Sequence, residues 1–177
     1  MQSNYDRSLS LVLRSEGGFT TDINDSGNKL ADGRAGSTNL GVTQRAWEEY
    51  VGHPVTWKDM RALTPATVAP FYRRKYWDAC DCDQLPTPLD YMVFDFGVNA
   101  GVGRAIKLLQ ECLAVPVTGE VDKTTMLVAK EIPIEELIAS YSDTKRHYYK
   151  MLQDPHYERG WLARVDTVEA NAKNMLG

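Results

Sequence analysis

The sequence predicts a mainly α fold, and three observations carry that prediction. Apolar residues recur three and four positions apart over most of the 177 residues. Helix punctuation is dense, with Thr64-Pro65, Pro133 and Asp154-Pro155 each marking a boundary. Strand signals, by contrast, are weak and brief.

The elements follow in order. Residues 5–16 place Leu9, Val12 and Leu13 on one face, and Gly17-Gly18 ends that helix. Residues 19–42 are rich in Gly, Asn, Asp, Ser and Thr, which predicts a long loop, or a loop with a small hairpin. A loop of that length in a folded domain is usually functional or disordered. Residues 43–50 read as a helix capped by Thr43, and residues 59–63 as a short helical turn. Thr64-Pro65 opens a helix to about Trp77. Pro86 and Pro88 open another through "LDYMVFDFGVNAG", broken over residues 97–103. "GRAIKLLQECL" is the next helix, and "VPVTGEVDKTT" is a turn and cap for one ending near Glu131. Pro133 starts a helix through "EELIASYSDTKRHYYKML", and residues 157–175 form the last. The Gly and Pro residues near 100–118 suggest a seam, giving lobes at 1–100 and 101–177 that share one core.

Composition excludes several functions. With 43% hydrophobic residues the chain can bury a real core, and a net charge of −4 argues against nucleic-acid binding. No apolar run approaches the roughly 20 residues of a membrane span. The start, "MQSNYDRSLSLVLRSEGG", lacks the basic start, apolar run and small-residue cleavage site of a signal peptide, so synthesis in the cytoplasm is expected. Cys80, Cys82 and Cys112 are an odd set, which does not suggest a disulfide framework. The C-x-C pair and three scattered histidines lack the paired spacing of zinc ligands. No metal and no cofactor is expected.

The chemistry centres on "SEGGFTTDINDSGN", residues 15–28. Glu16 is expected to end its helix, where the negative pole of the macrodipole disfavours a carboxylate, as would partial burial behind Phe19. A glutamic acid that keeps its proton is what glycosidic bond cleavage requires of its acid. Gly17 and Gly18 allow a sharp exit and leave room for a bulky substrate, although Gly-Gly is also an ordinary helix stop. Asp25, nine positions on, offers a second carboxylate, and Asp22 competes with it; both also suit plain turns. The loop returns through "STNLGVT", where Thr38, Asn39 and Thr43 offer groups able to orient a water or a sugar hydroxyl, with Thr43 equally a helix cap.

"EGGF", then Asp22 and "DSG", then "TNLGVTQRAW" resembles the signature of glycoside hydrolase family 108, in which E-G-G-aromatic precedes a D-x-G-G-like turn and T-N-x-G-I-T. The likeness continues through "FYRRKYWDACDCDQLPTPLDYMVFDFGVNAGVGRAIKLLQECL" and "VTGEVDKTT", from about residue 5 to 175. One departure is "NKLADGRAG", residues 28–36, which lengthens the loop. The resemblance implies a lysozyme-like helical fold, with residues 1–100 catalytic and 101–177 a peptidoglycan-binding lobe. It implies a muramidase that cuts the β-1,4 bond between N-acetylmuramic acid and N-acetylglucosamine, with Glu16 as general acid. By likeness to phage-type lysozymes, Asp25 is the better second carboxylate, and Thr38 or Thr43 positions the water. Carboxyl groups roughly 6.5–9.5 Å apart would mean inversion, and about 5 Å retention. The implied partner is the glycan strand, met by a monomer without stable membrane insertion. It is reached in the periplasm after release by a holin, as for a phage endolysin, or by a dedicated export route, as for a secretion-linked enzyme. Two rivals are a lytic transglycosylase and a non-catalytic peptidoglycan-binding secretion accessory.

Further candidates lie in "LDYMVFDFGVNAG". Tyr91 and Asp95 are one helical turn apart and can share a face toward substrate, or Asp95 can pair with Arg104. Asn99, placed beyond the break, can contact an acetamido group or cap the helix. Met92, Val93 and Phe96 read as core. The basic pair Lys145-Arg146 can attract anionic peptides, although most short charge runs are solvated faces.

Overall fold

The computed structural model describes residues 4–21, 30 and 33–177. Helices dominate it, as the sequence predicts, and among the described residues the one sheet is a two-stranded hairpin. Asp22 and Asp25 lie outside the described residues. The chain divides into two units, Leu9–Arg73 and a second made of Met1–Ser8 with Arg74–Gly177. This differs from the expected seam at residues 100–118. The reason is local: α5 (Leu89–Ala100) and α6 (Val102–Cys112) pack on one another inside the second unit, so Gly101, at φ 95°, is a bend between packed helices.

In the unit Leu9–Arg73, α1 (Tyr5–Ser15) contributes its later turns, with Leu9 and Val12 buried as their spacing requires. The hairpin pairs β1 (Thr38–Asn39) with β2 (Val42–Thr43), Thr38 opposite Thr43 and Asn39 opposite Val42. Its two turn residues, Leu40 and Gly41, sit at φ 50° and 73°, the doubly left-handed pattern of a tight two-residue hairpin turn. Thr43 then caps α2 (Gln44–Val51), accepting from the Ala46 N–H at 3.3 Å. The short helix α3 (Trp57–Arg61) starts two residues before the expected turn. The cause is a reciprocal capping box between Thr56 and Asp59, with each side chain bonded to the other residue's N–H. Thr64 caps α4 (Pro65–Tyr72) as predicted. Trp47, Tyr50, Phe71 and Tyr72 form a chain of ring contacts at 5.4–5.9 Å, the aromatic half of this unit's core.

After Tyr72 the helical winding continues to Trp77, as expected, but as a π turn, followed by two short 3-10 turns. The second unit is built around α5, whose residues from Leu89 to Gly97 are all buried. A helix apolar on nearly every side belongs inside a bundle. It packs with α6, α8 (Ile134–Met151) and α9 (Pro155–Lys173). The expected break over residues 97–103 narrows to Gly101. Gly97 lies within the helix, and the absence of a side chain there lets Cys80 pack closely: an added Cβ would come within 3.1 Å of the Cys80 Sγ. Tyr5, Trp77 and Phe94 meet edge to face at 5.3–5.8 Å. The turn "VPVTGEV" is organised by the buried Gln110. Its amide donates to Thr118, to the Glu120 carbonyl and to Thr125, and its oxygen accepts from the Gly119 N–H. Asp122 caps α7 (Lys123–Glu131). Lys145 is buried and Arg146 is held by Asp143, Asp166 and Glu169, so the pair is not a solvated basic patch. The three cysteines are free thiols, Cys80 and Cys82 buried.

Candidate functional site

Glu16 follows the last residue of α1, its N–H reaching back to the Leu13 carbonyl at 3.4 Å. The side chain is half-buried. Its seat is made by the hairpin turn: a Cβ placed on Gly41 would lie 2.7 Å from Glu16 Oε2 and 2.6 Å from the Tyr72 hydroxyl. The carboxyl group and the phenol therefore close on the space that a side chain at residue 41 would occupy. Gly41 is required twice over, by its left-handed backbone and by this contact. Tyr72, 1% exposed, donates its hydroxyl proton to the Leu40 carbonyl at 2.8 Å.

The strand that leaves Glu16 ties to the same hairpin. Thr20 and Thr38 exchange both backbone hydrogen bonds, at 2.8 and 2.9 Å. Glu16, Gly17, Gly18 and Phe19 thus form a short span between helix α1 and the sheet, fixed at both ends. Neither Gly17 nor Gly18 has a left-handed backbone, and among the described residues a Cβ on either would meet nothing within 4 Å. Both are exposed. The guanidinium of Arg61 lies over the Phe19 ring at 5.7 Å.

The expected helpers divide by what they do here. Thr43 and Thr38 face each other across the hairpin, with the Thr43 oxygen committed as an acceptor to the α2 cap. Asn39 is buried, and its amide donates to the carbonyls of Met60, Arg61 and Leu63 at 2.9–3.5 Å. It satisfies the C-terminal carbonyls of α3 and so holds that helix to the hairpin. Its amide protons are spent on backbone.

Tyr91, Asp95 and Asn99 lie in the second unit, on α5. Tyr91 is 1% exposed, and its hydroxyl accepts from the Asn171 amide. Burial pushes that phenol up to about 12. Asp95 is 1% exposed and pairs with Lys145 at 2.8 Å and Arg164 at 2.9 Å, not with Arg104, the sequence-based alternative to a substrate-facing role. Burial works against its charge, but Lys145 and then Arg164 outweigh it and hold the carboxyl below the usual range. The face shared by Tyr91 and Asp95 is therefore packed against α8 and α9. Asn99 is exposed but lies within α5, its side-chain oxygen accepting from the Tyr149 hydroxyl. Among the described residues no group of His, Cys, Asp or Glu is arranged to hold a metal ion. No described helix is long and apolar enough to cross a membrane.

Sequence reasoning missed Tyr72 and the steric role of Gly41. The one available signal was "TNLGVT" itself: four strand residues around a two-residue turn containing glycine.

A model of the family described as Glycosyl hydrolase 108 matches residues 9–101. That segment holds Glu16, the hairpin and Tyr72. Among curated protein sequences none matches the chain. Eleven chains of solved structures do. One, titled "Structure of Brucella abortus SagA", superposes with a TM-score of 0.79 at 25% sequence identity, covering 98% of this chain and 96% of that one.

Proposed function

Because the chain belongs to glycosyl hydrolase family 108, we propose that it hydrolyses peptidoglycan at the β-1,4 bond between N-acetylmuramic acid and N-acetylglucosamine, with Glu16 as general acid. The observation that carries this reading is the seat of Glu16: a half-buried carboxyl group walled by the Gly41 backbone and beside Tyr72, with Gly17 and Gly18 exposed next to it. A glycosidase acid has to be held still and yet reach the leaving oxygen. Glu16 gives its proton to that oxygen as the bond to the sugar's anomeric carbon breaks. Positive charge then develops on the ring, and a water adds to the same carbon. Asp25 stabilises that charge or takes the water's proton. Thr38 or Thr43 orients the water; a Thr43 hydroxyl that accepts from Ala46 still has its own proton to donate. The same reading has the enzyme made in the cytoplasm and brought to the wall by a holin or an export route.

Mass spectrometry of sacculus digests by wild type and Glu16→Gln tests this. Wild type is expected to release fragments with reducing-end muramic acid, and Glu16→Gln to lose at least about 10²-fold in rate with an unchanged melting temperature. Anhydro ends would make the enzyme a lytic transglycosylase. Sacculus pelleting without fragments would make it a binding protein, and a fully active Glu16→Gln would remove Glu16 as the acid.

A further inference from the structure

Tyr72 sits in the interior of its unit, yet its hydroxyl is not aimed at bulk solvent or at a helix. It donates to the carbonyl of Leu40, the first residue of the hairpin turn, at 2.8 Å. That turn needs help. Leu40 adopts φ 50°, a left-handed conformation costly for a residue with a Cβ, where Asn or Gly is the usual occupant. The next residue, Gly41, is the one whose backbone faces the Glu16 carboxyl, with space for an added Cβ filled by Glu16 Oε2 and the Tyr72 oxygen. A strained turn thus forms the wall of the acid, and one buried phenol holds it.

We propose that Tyr72 is a positioning residue for the reaction: by holding the Leu40 carbonyl it fixes the turn so that the Gly41 backbone confines the Glu16 carboxyl group. The inference rests on the reading of Glu16 as the general acid. The phenol hydroxyl donates to the Leu40 carbonyl, so Tyr72 acts on the turn that walls the carboxyl group. Loss of the clamp leaves the turn free to relax away from its strained φ, and the carboxyl group then samples orientations away from the leaving oxygen. Misplacement of a catalytic group by about 1 Å is enough to cost on the order of 10²-fold. Substrate contacts elsewhere are untouched, so the loss belongs to kcat.

The test measures kcat and KM on soluble peptidoglycan fragments for wild type, Glu16→Gln, Tyr72→Phe, Gly41→Ala and the double variant Tyr72→Phe/Leu40→Asn, with circular dichroism to show folding. Tyr72→Phe is expected to lose on the order of tenfold in kcat with KM within about twofold of wild type. Gly41→Ala, which is strained at φ 73° and pushes into the carboxyl group, is expected to lose more. The double variant is expected to recover most of the kcat, because Asn-Gly holds this turn geometry without a clamp. A role limited to core packing would not be rescued by a change in the turn. Wild-type kcat in a folded Tyr72→Phe, a loss confined to KM, or no rescue by Leu40→Asn overturns the inference while Glu16→Gln remains inactive. If Tyr72→Phe fails to fold, Gly41→Ala decides: wild-type kcat there overturns the inference. Full activity in Glu16→Gln, or no turnover by wild type, overturns the reading of Glu16 and this inference with it.

Discussion

The buried ion triad in the second unit makes a quantitative prediction. Asp95 and Lys145 are each 1% exposed, 2.8 Å apart, and Arg164 reaches Asp95 Oδ1 through two nitrogens at 2.9 and 3.1 Å. Asp95→Ala leaves a buried ammonium with no anion. Breaking such a pair from one side costs about 3–5 kcal/mol, which in a chain of this size is a fall of about 6–20 °C in melting temperature. Lys145→Met should cost less, since Arg164 still neutralises Asp95. The double variant Asp95→Leu/Lys145→Met should be more stable than Asp95→Leu alone, because apolar replacements of a buried pair pack without a desolvation cost. The pH dependence follows from the direction of the shift. The Asp95 carboxyl is held below its ordinary range in the fold. Its contribution is therefore present above the unfolded value, about 3.9, and is lost as pH falls through the lower folded value. The gap in stability between wild type and Asp95→Ala should shrink below about pH 4. Differential scanning calorimetry from pH 3 to 7, with kcat/KM measured well below the melting temperature, checks this. A fall in kcat/KM with an unchanged melting temperature would refute the structural role and return Asp95 to the substrate.

Two further outcomes are expected. Burial raises the Asp90 carboxyl, against opposing hydrogen bonds from Thr87, the Tyr91 N–H and Asn4. A raised folded value means stability that is complete at low pH and lost as pH climbs through and above the ordinary carboxylate range, so Asp90→Asn should gain on wild type between pH 3 and 7 in denaturant titrations. Among the described residues Gly18→Ala meets no neighbour, and the backbone there is not left-handed, so its melting temperature should stay that of wild type. If the glycan passes beside Glu16 there, KM on peptidoglycan fragments rises; an unchanged KM would place the strand elsewhere.

The helices were legible from the residues alone, because periodic apolar faces, caps and prolines act within a few residues of one another. α1 stops close to where Gly17 predicts, and α2 and α4 start where Thr43 and Pro65 predict. The sequence also singled out Glu16 as the candidate acid, through its place at a helix end before two glycines. What surrounds that residue depends on packing between segments far apart in the chain. Tyr72 stands 56 positions from Glu16 and reads as one more core aromatic until its hydroxyl is seen on Leu40. Asn39 and Asp95 carry the right groups for a sugar, but one is spent on the carbonyls of α3 and the other on Lys145 and Arg164. A polar side chain buried in a fold is committed to whichever partner cancels its desolvation, and that partner is chosen by packing between distant segments. Local sequence carries no record of that choice.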